Sequence, residues 1–181
     1  MVSQTQPEYR YVLTRCLRVP SSSGVPRTVL FCLLNPSTAD ETEDDPTIRR
    51  VVNFAKREGY DHLSVVNLYG VRSTDPKALA SFDDPIGPDN DNTIRTEVSQ
   101  ADLVVAAWGV PPPIPDADKR VRQVLALLTA DQEVYRLGKP TKGGHPPHPL
   151  YLRKDTPLEL HVAAPSKEQQ HTQIPPTGQG R

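Results

Sequence analysis

At 181 residues the chain has the length of one domain, enough to bury one sizeable core and too short for two. Lysine and arginine total 21 against 22 aspartate and glutamate, a formal charge of −1. That balance excludes a strongly basic, nonspecific nucleic-acid coat but not a local basic groove. Two cysteines exclude a disulfide scaffold and a four-thiolate zinc site. The longest apolar runs, Val29 to Leu34 and Leu103 to Trp108, are six residues each, whereas a membrane span needs about 20. The first residues include Glu8 and Arg10 and no apolar signal core. The expectation is a monomeric cytoplasmic protein with free thiols and no membrane association.

Glu8 to Val19 alternates polar and apolar residues, which predicts a strand. Pro20 to Arg27 reads as a loop. Thr28 to Leu34 is a nearly continuous apolar run, the mark of a strand buried on both faces. The short loop suggests that these two strands form an antiparallel pair. Pro46 to Tyr60 predicts a helix, with Asp44 or Asp45 as its cap, Pro46 in its first turn and Gly59 at its end. His62 to Leu68 is a second buried strand, and Pro88 to Gln100 a helix. Ala101 to Trp108 is a third buried strand, Asp116 to Ala130 a helix, and Glu133 to Leu137 a last short strand.

Strands and helices in this alternation predict a parallel sheet covered on both faces. Right-handed crossovers then gather the strand C-terminal ends along one edge, where such folds bind ligands. Twenty prolines are about twice the usual share. Residues 156–181 hold few large apolar side chains and cannot offset their ordering entropy. The division is therefore a single domain over 1–155 and a flexible polar tail over 156–181.

Three polar constellations follow from this arrangement. Leu34 to Asp40 (LNPSTAD) ends a buried strand in Asn35-Pro36, so the Asn35 amide projects from the strand end; a plain turn is the alternative. Val65 to Pro76 (VVNLYGVRSTDP) interrupts an apolar strand with Asn67, whose amide must meet either backbone or a ligand. Arg72 and Ser73 follow where phosphate contacts are possible. His145 to Arg153 (HPPHPLYLR) is a proline-stiffened segment that holds His145 and His148, preceded by Lys139 and Lys142 on a flexible approach. No third ligand completes a zinc site around the two histidines. Cys16 and Cys32 read as inert buried thiols. The acidic run Asp40, Glu41, Glu43, Asp44 and Asp45 reads as the acidic start of a helix. No metal and no cofactor is expected.

In chain order, LNPSTAD, DDPTIRR, VVNLYGVRSTDP, DPIGPDND, VVAAWG and GHPPHPLYL closely resemble a bacterial and phage family known as domain of unknown function 1643, over about Tyr9 to Arg153. The same ordered motifs resemble those of the uracil-DNA glycosylase superfamily. Asn35-Pro36 is similar to the Asn-Pro of its mismatch-specific members. Val66-Asn67-Leu68 and Val71-Arg72 resemble the second strand and turn of its iron–sulfur members, and His148 to Arg153 resembles their final motif. Those members need four cysteines, so their cluster is absent from this chain.

That resemblance implies a three-layer α/β/α domain around a mainly parallel four-stranded sheet, plus an N-terminal antiparallel strand. It implies a DNA N-glycosylase-like enzyme that flips out an unusual or modified base and hydrolyses its N-glycosidic bond. Asn35 would position the attacking water, with Asp40 the candidate carboxylate. His148 would donate to the leaving base, and Asn67 would read its edge. Tyr69 and Trp108 are the stacking candidates. Arg72, Ser73, Lys139, Lys142 and Arg153 would meet DNA phosphates. Two alternatives stay open: an inactive nucleic-acid or nucleotide-binding module, and a hydrolase or transferase of free nucleosides. Geometry discriminates between them. A DNA enzyme needs Asn35, Asn67 and His148 on one pocket with a basic rim, a nucleoside enzyme needs the pocket alone, and a binder needs only the rim.

Overall fold

The computed structural model describes residues 7–18 and 24–163. Six strands form one mixed sheet in which β2 (Thr28–Leu33), β3 (His62–Asn67), β4 (Leu103–Ala106) and β5 (Val134–Leu137) run parallel. β1 (Leu13–Cys16) and β6 (Leu158–Val162) close the two edges antiparallel, in the order β1-β3-β2-β4-β5-β6. Three helices connect the parallel strands: α1 (Pro46–Arg57), α2 (Asn90–Gln100) and α3 (Ala117–Leu128).

Alternation along the central strands divides the core in two. Val29, Phe31 and Leu33 of β2, with Leu63 and Val65 of β3, face α1 through Ile48, Val51 and Phe54. Leu30, Cys32, Val66, Val104 and Ala106 face the other way, against Ile94 and Val98 of α2 and Val124 and Leu128 of α3. A strand covered by helices on both faces has no polar side to keep. That is why β2, β3 and β4 read as continuous apolar runs.

Local chemistry sets the helix ends. Asp45 accepts the Ile48 backbone N–H at 2.8 Å, and Pro46 occupies the first turn of α1, where its missing N–H costs nothing. Gly59 (φ +77°) turns the chain back toward β3. Around the cap, Asp44 pairs with Arg15 at 2.8 Å. Asp44 and Asp45 of the acidic run are thus spent on pairing and capping.

Three expectations are corrected. β1 pairs with β3, Leu13 opposite Val65, and not with β2. The crossover through α1 lays β3 directly against β2, and β1 covers the outer edge of β3 instead. Cys16, at the end of this edge strand, is exposed; Cys32 is buried, and burial pushes its thiol up to about 12. Finally, the stretch assigned to the tail contains β6, whose Leu158 lies opposite Leu137 while Glu159 pairs with Arg136 at 3.0 Å. A strand that covers only a sheet edge needs few large apolar residues, which hid it in a polar, proline-bearing sequence. Residues 164–181, and Val19 to Ser23 of the first loop, lie outside the described residues. No helix among the described residues is long and apolar enough to cross a membrane.

Candidate functional site

The C-terminal ends of β2, β3 and β4 open on a cavity of about 610 Å³. Its lining includes Asn35, Asn67 and His148 together, with Ser73, Trp108, Arg10, Asp45, Thr141 and Tyr151. β2 leads into α1 on one face, while the chain from β3 passes over to β4 on the other side of β2. The cavity therefore sits where the strand order reverses, the usual crevice of an open α/β sheet.

Asn35 leaves β2 and is locked by its own amide. Its Nδ2 donates to the carbonyls of Pro36 at 2.9 Å and Ser73 at 2.8 Å. Both amide protons are thereby used, and only Oδ1 is left, as an acceptor. Asn67, the last residue of β3, is in the opposite condition. It is 3 % exposed, yet no protein group among the described residues hydrogen-bonds its side-chain amide. Its backbone is instead clamped from behind. Asn90 Nδ2 donates to the carbonyls of Asn67 at 3.1 Å and Leu68 at 3.2 Å, and Arg120 Nε donates to Leu68 O at 2.7 Å. Asn90 and Arg120 are both buried, so these bonds are made out of water.

His148 Nδ1 accepts the Leu150 N–H at 3.3 Å, which leaves the ring proton on Nε2. Burial pushes its pKa below the usual histidine value, opposed by the charge of Asp45. Near neutral pH the imidazole is therefore an uncharged Nε2–H donor. Gly109, at φ +74°, brings the chain after β4 against this segment: a Cβ there would stand 3.0 Å from His148 Cβ, and Gly109 N–H donates to Pro146 O at 3.0 Å.

Other anticipated residues lie elsewhere. Asp40 is exposed and turned back on its own loop, where Oδ1 accepts from the backbone N–H groups of Glu43 at 2.7 Å and Thr42 at 2.8 Å. Those bonds hold its carboxyl below the usual range, and it does not line the cavity. Tyr69 lines a different cavity. Trp108 contributes to the lining, but its ring packs in the cluster facing α2 and α3, edge-on to His161 at 6.3 Å. Its indole is 1 % exposed and offers no open stacking face.

The expected basic rim is not assembled. Arg72 is committed to Glu8 at 2.6 Å and Arg153 to Asp155 at 3.1 Å. Lys139 and Lys142 are exposed and stand outside the lining, although Thr141 between them belongs to it.

Three charged or aromatic residues of the lining were not anticipated as site residues. Arg10 reaches the Ala39 carbonyl, and its buried Nε has no partner among the described residues. Burial and then the nearby Arg72 lower its pKa. Asp45 was assigned only as a helix cap, and it serves as one while facing the cavity. Tyr151 is the large aromatic at the mouth, 84 % exposed and tilted against His148 at 5.7 Å between ring centres. A signal for it existed, since it follows His148-Pro149-Leu150. Nothing local marked Arg10, whose partner is 29 residues away.

Fold and cavity together define an α/β domain with a cavity at its strand ends. Residues 10–150 match the model of the family described as a protein of unknown function, DUF1643, and the chain belongs to that family. No curated protein and no solved structure matches it at a significant level.

Proposed function

We propose that this cavity receives a nucleobase and promotes hydrolysis of its N-glycosidic bond, in a three-layer domain of the uracil-DNA glycosylase type. The observation that carries the reading is the Asn67 amide, almost wholly buried and without a protein partner, in one cavity with an acceptor at Asn35 and a donor at His148. A buried amide with its donors and acceptor free matches the mixed edge of a base, and a site of this kind discriminates strongly against bases that leave it unmatched.

Water attacks C1′ as the carbon–nitrogen bond breaks, and the bonding electron pair leaves with the base nitrogen. Asn35 Oδ1, fixed by two carbonyls, accepts a hydrogen bond from that water. His148 Nε2–H donates to an oxygen of the departing base and stabilises its negative charge; such a fixed donor contributes about 10²–10³-fold. Asp45 takes the place first considered for Asp40. Its carboxylate faces the positive charge that develops on the sugar, and the water proton ends on the departing base or in solvent. Tyr151 supplies an aromatic face at the mouth.

DNA bearing an unusual or modified base is the first substrate to test. Free nucleosides are the second, favoured by one observation: among the described residues Arg10 is the sole lysine or arginine in the lining, and Asp45 opposes it. The experiment is a base-release assay on oligonucleotides carrying uracil, hypoxanthine or oxidised pyrimidines, with the matching free nucleosides in parallel. Release from either set that disappears in Asn67→Ala and His148→Ala supports the reading. Release from neither set, or release unchanged in both variants, defeats it.

A further inference from the structure

The cavity at the strand ends has two unlike walls. One is mainly apolar, with Val110 after β4 facing Pro147, Leu150 and Tyr151 of the proline-stiffened segment. The other is polar and carries Arg10, Ser37, Asp45, Thr47 and Thr74. Hydrogen bonds hold the polar wall together. Arg10 reaches Ala39 O, the Ala39 N–H donates to Asp45 Oδ2 at 3.3 Å, and the Ser73 N–H donates to Pro36 O at 2.9 Å.

This wall has hydrogen-bonding capacity to spare, and it is open to solvent. Ser37 and Thr47 are partly buried and their hydroxyls make no hydrogen bond among the described residues, yet neither oxygen is sealed from the surface as Arg10 Nε is. Asp45 accepts one N–H on each carboxylate oxygen, that of Ile48 on Oδ1 at 2.8 Å and that of Ala39 on Oδ2. A carboxylate has about four acceptor positions, so part of its capacity remains free. Asp45 forms no salt bridge among the described residues.

Hydroxyls that donate and accept, beside a carboxylate that only accepts, are the complement of a group rich in hydroxyls. A phosphate is the wrong group, since Asp45 repels it and Arg10 is the sole lysine or arginine of the lining among the described residues. A ribose is the right one. Its 2′-hydroxyl donates to a carboxylate in a charge-assisted bond, which a 2′-deoxy sugar cannot make. The volume of about 610 Å³ lies within the range of small-molecule sites, about 300–1,000 Å³.

We infer that the ligand of this cavity is a free ribonucleoside, an assignment that rests on the nucleobase reading above and adds the sugar to it. Asp45 accepts from the 2′-hydroxyl, Ser37 and Thr47 meet other sugar oxygens, and the base lies toward Asn67 and His148. The 2′-hydroxyl stands on the carbon next to C1′, so the carboxylate that faces the developing charge also holds the sugar. Hydrogen bonds to this hydroxyl strengthen in the transition state of glycoside cleavage.

The test titrates the ¹⁵N-labelled full chain with adenosine, guanosine, cytidine, uridine and inosine, each beside its 2′-deoxy counterpart, and follows base release in the same samples and in the oligonucleotides. The expected result is saturable shifts at Asn67 and Thr47 with at least one ribonucleoside. Its 2′-deoxy counterpart should bind about tenfold more weakly, the worth of one hydrogen bond to a charged group. Asp45→Asn keeps a good helix cap and should shrink that ratio severalfold. The assignment is overturned if no ribonucleoside binds, if the 2′-deoxy compounds bind equally well, or if the ratio survives in Asp45→Asn. Ribonucleosides bound with this preference but left uncleaved would defeat the proposed hydrolysis and leave the ligand standing. Base release confined to oligonucleotides, with no ribonucleoside bound, would do the reverse.

Discussion

β2 and β3 lie side by side and each delivers an asparagine to the same cavity, yet the two amides are used in opposite ways. Asn35 spends its donors on the chain and offers one fixed oxygen. Asn67 spends nothing of its side chain, while its backbone is held by Asn90. A residue type at a strand end therefore does not set its own role. What surrounds the strand end decides whether the amide serves the fold or is left facing the cavity.

Substitution should separate the two roles, and the largest effect belongs to Asn67. Asn67→Ala should slow base release by about 10²–10³-fold while leaving the thermal midpoint nearly unchanged, because the amide lines the cavity and makes no hydrogen bond among the described residues. A fall in stability comparable to other buried polar deletions would show that Asn67 is structural after all. Asn35→Ala should lower base release too, but with a stability loss of about 1–3 kcal/mol in urea unfolding, since it strands the Ser73 carbonyl while the Pro36 carbonyl keeps the Ser73 N–H. Asn90→Ala should cost a similar amount and also lower base release, because it frees the peptide that carries Asn67. An Asn90→Ala protein of full activity would dissociate the clamp from the site.

A smaller effect is expected at Gly109. Alanine there must adopt φ near +74° with its Cβ 3.0 Å from His148, a strain of about 1–2 kcal/mol, visible as a shift of the His148 imidazole resonances. The smallest effect is the pH response. Burial lowers the folded-state pKa of His148 below its unfolded value of about 6.5, so the unfolded chain binds protons more readily there. Stability should therefore fall as pH drops from above that value through the folded pKa. His161, lowered by burial in the same direction, adds to the slope. The stability of His148→Gln should depend less on pH below about 6.5, and an unchanged slope would assign the effect to His161.

The same contrast explains what could be read from the sequence. β2, β3 and β4 were legible because burial on both faces leaves an uninterrupted apolar run, and Asn35 and Asn67 stood out as polar residues closing such runs. His148 was legible through its stiff proline setting. β6 was not, because an edge strand with Glu159 and His161 has no such signature. The partner of β1 was hidden for a different reason: pairing Leu13 with Val65 is a choice between distant segments that neither segment encodes. Arg10 and Asp45 fail the same way. Arg10 looks like a strand residue and Asp45 like a helix cap until the chain folds them onto a shared wall.

The two antiparallel strands at the sheet margins also bear on how the protein should be handled. The parallel strands present hydrogen-bonding rails that another copy could extend, and β1 and β6 occupy those rails. Cutting the chain after Asp155, the obvious way to trim its polar end, would strip β6 from β5 and release Arg136 from both Glu159 and the Leu160 carbonyl. A shortened protein of that kind should self-associate along β5. A cut beyond Ala163 keeps the rail covered.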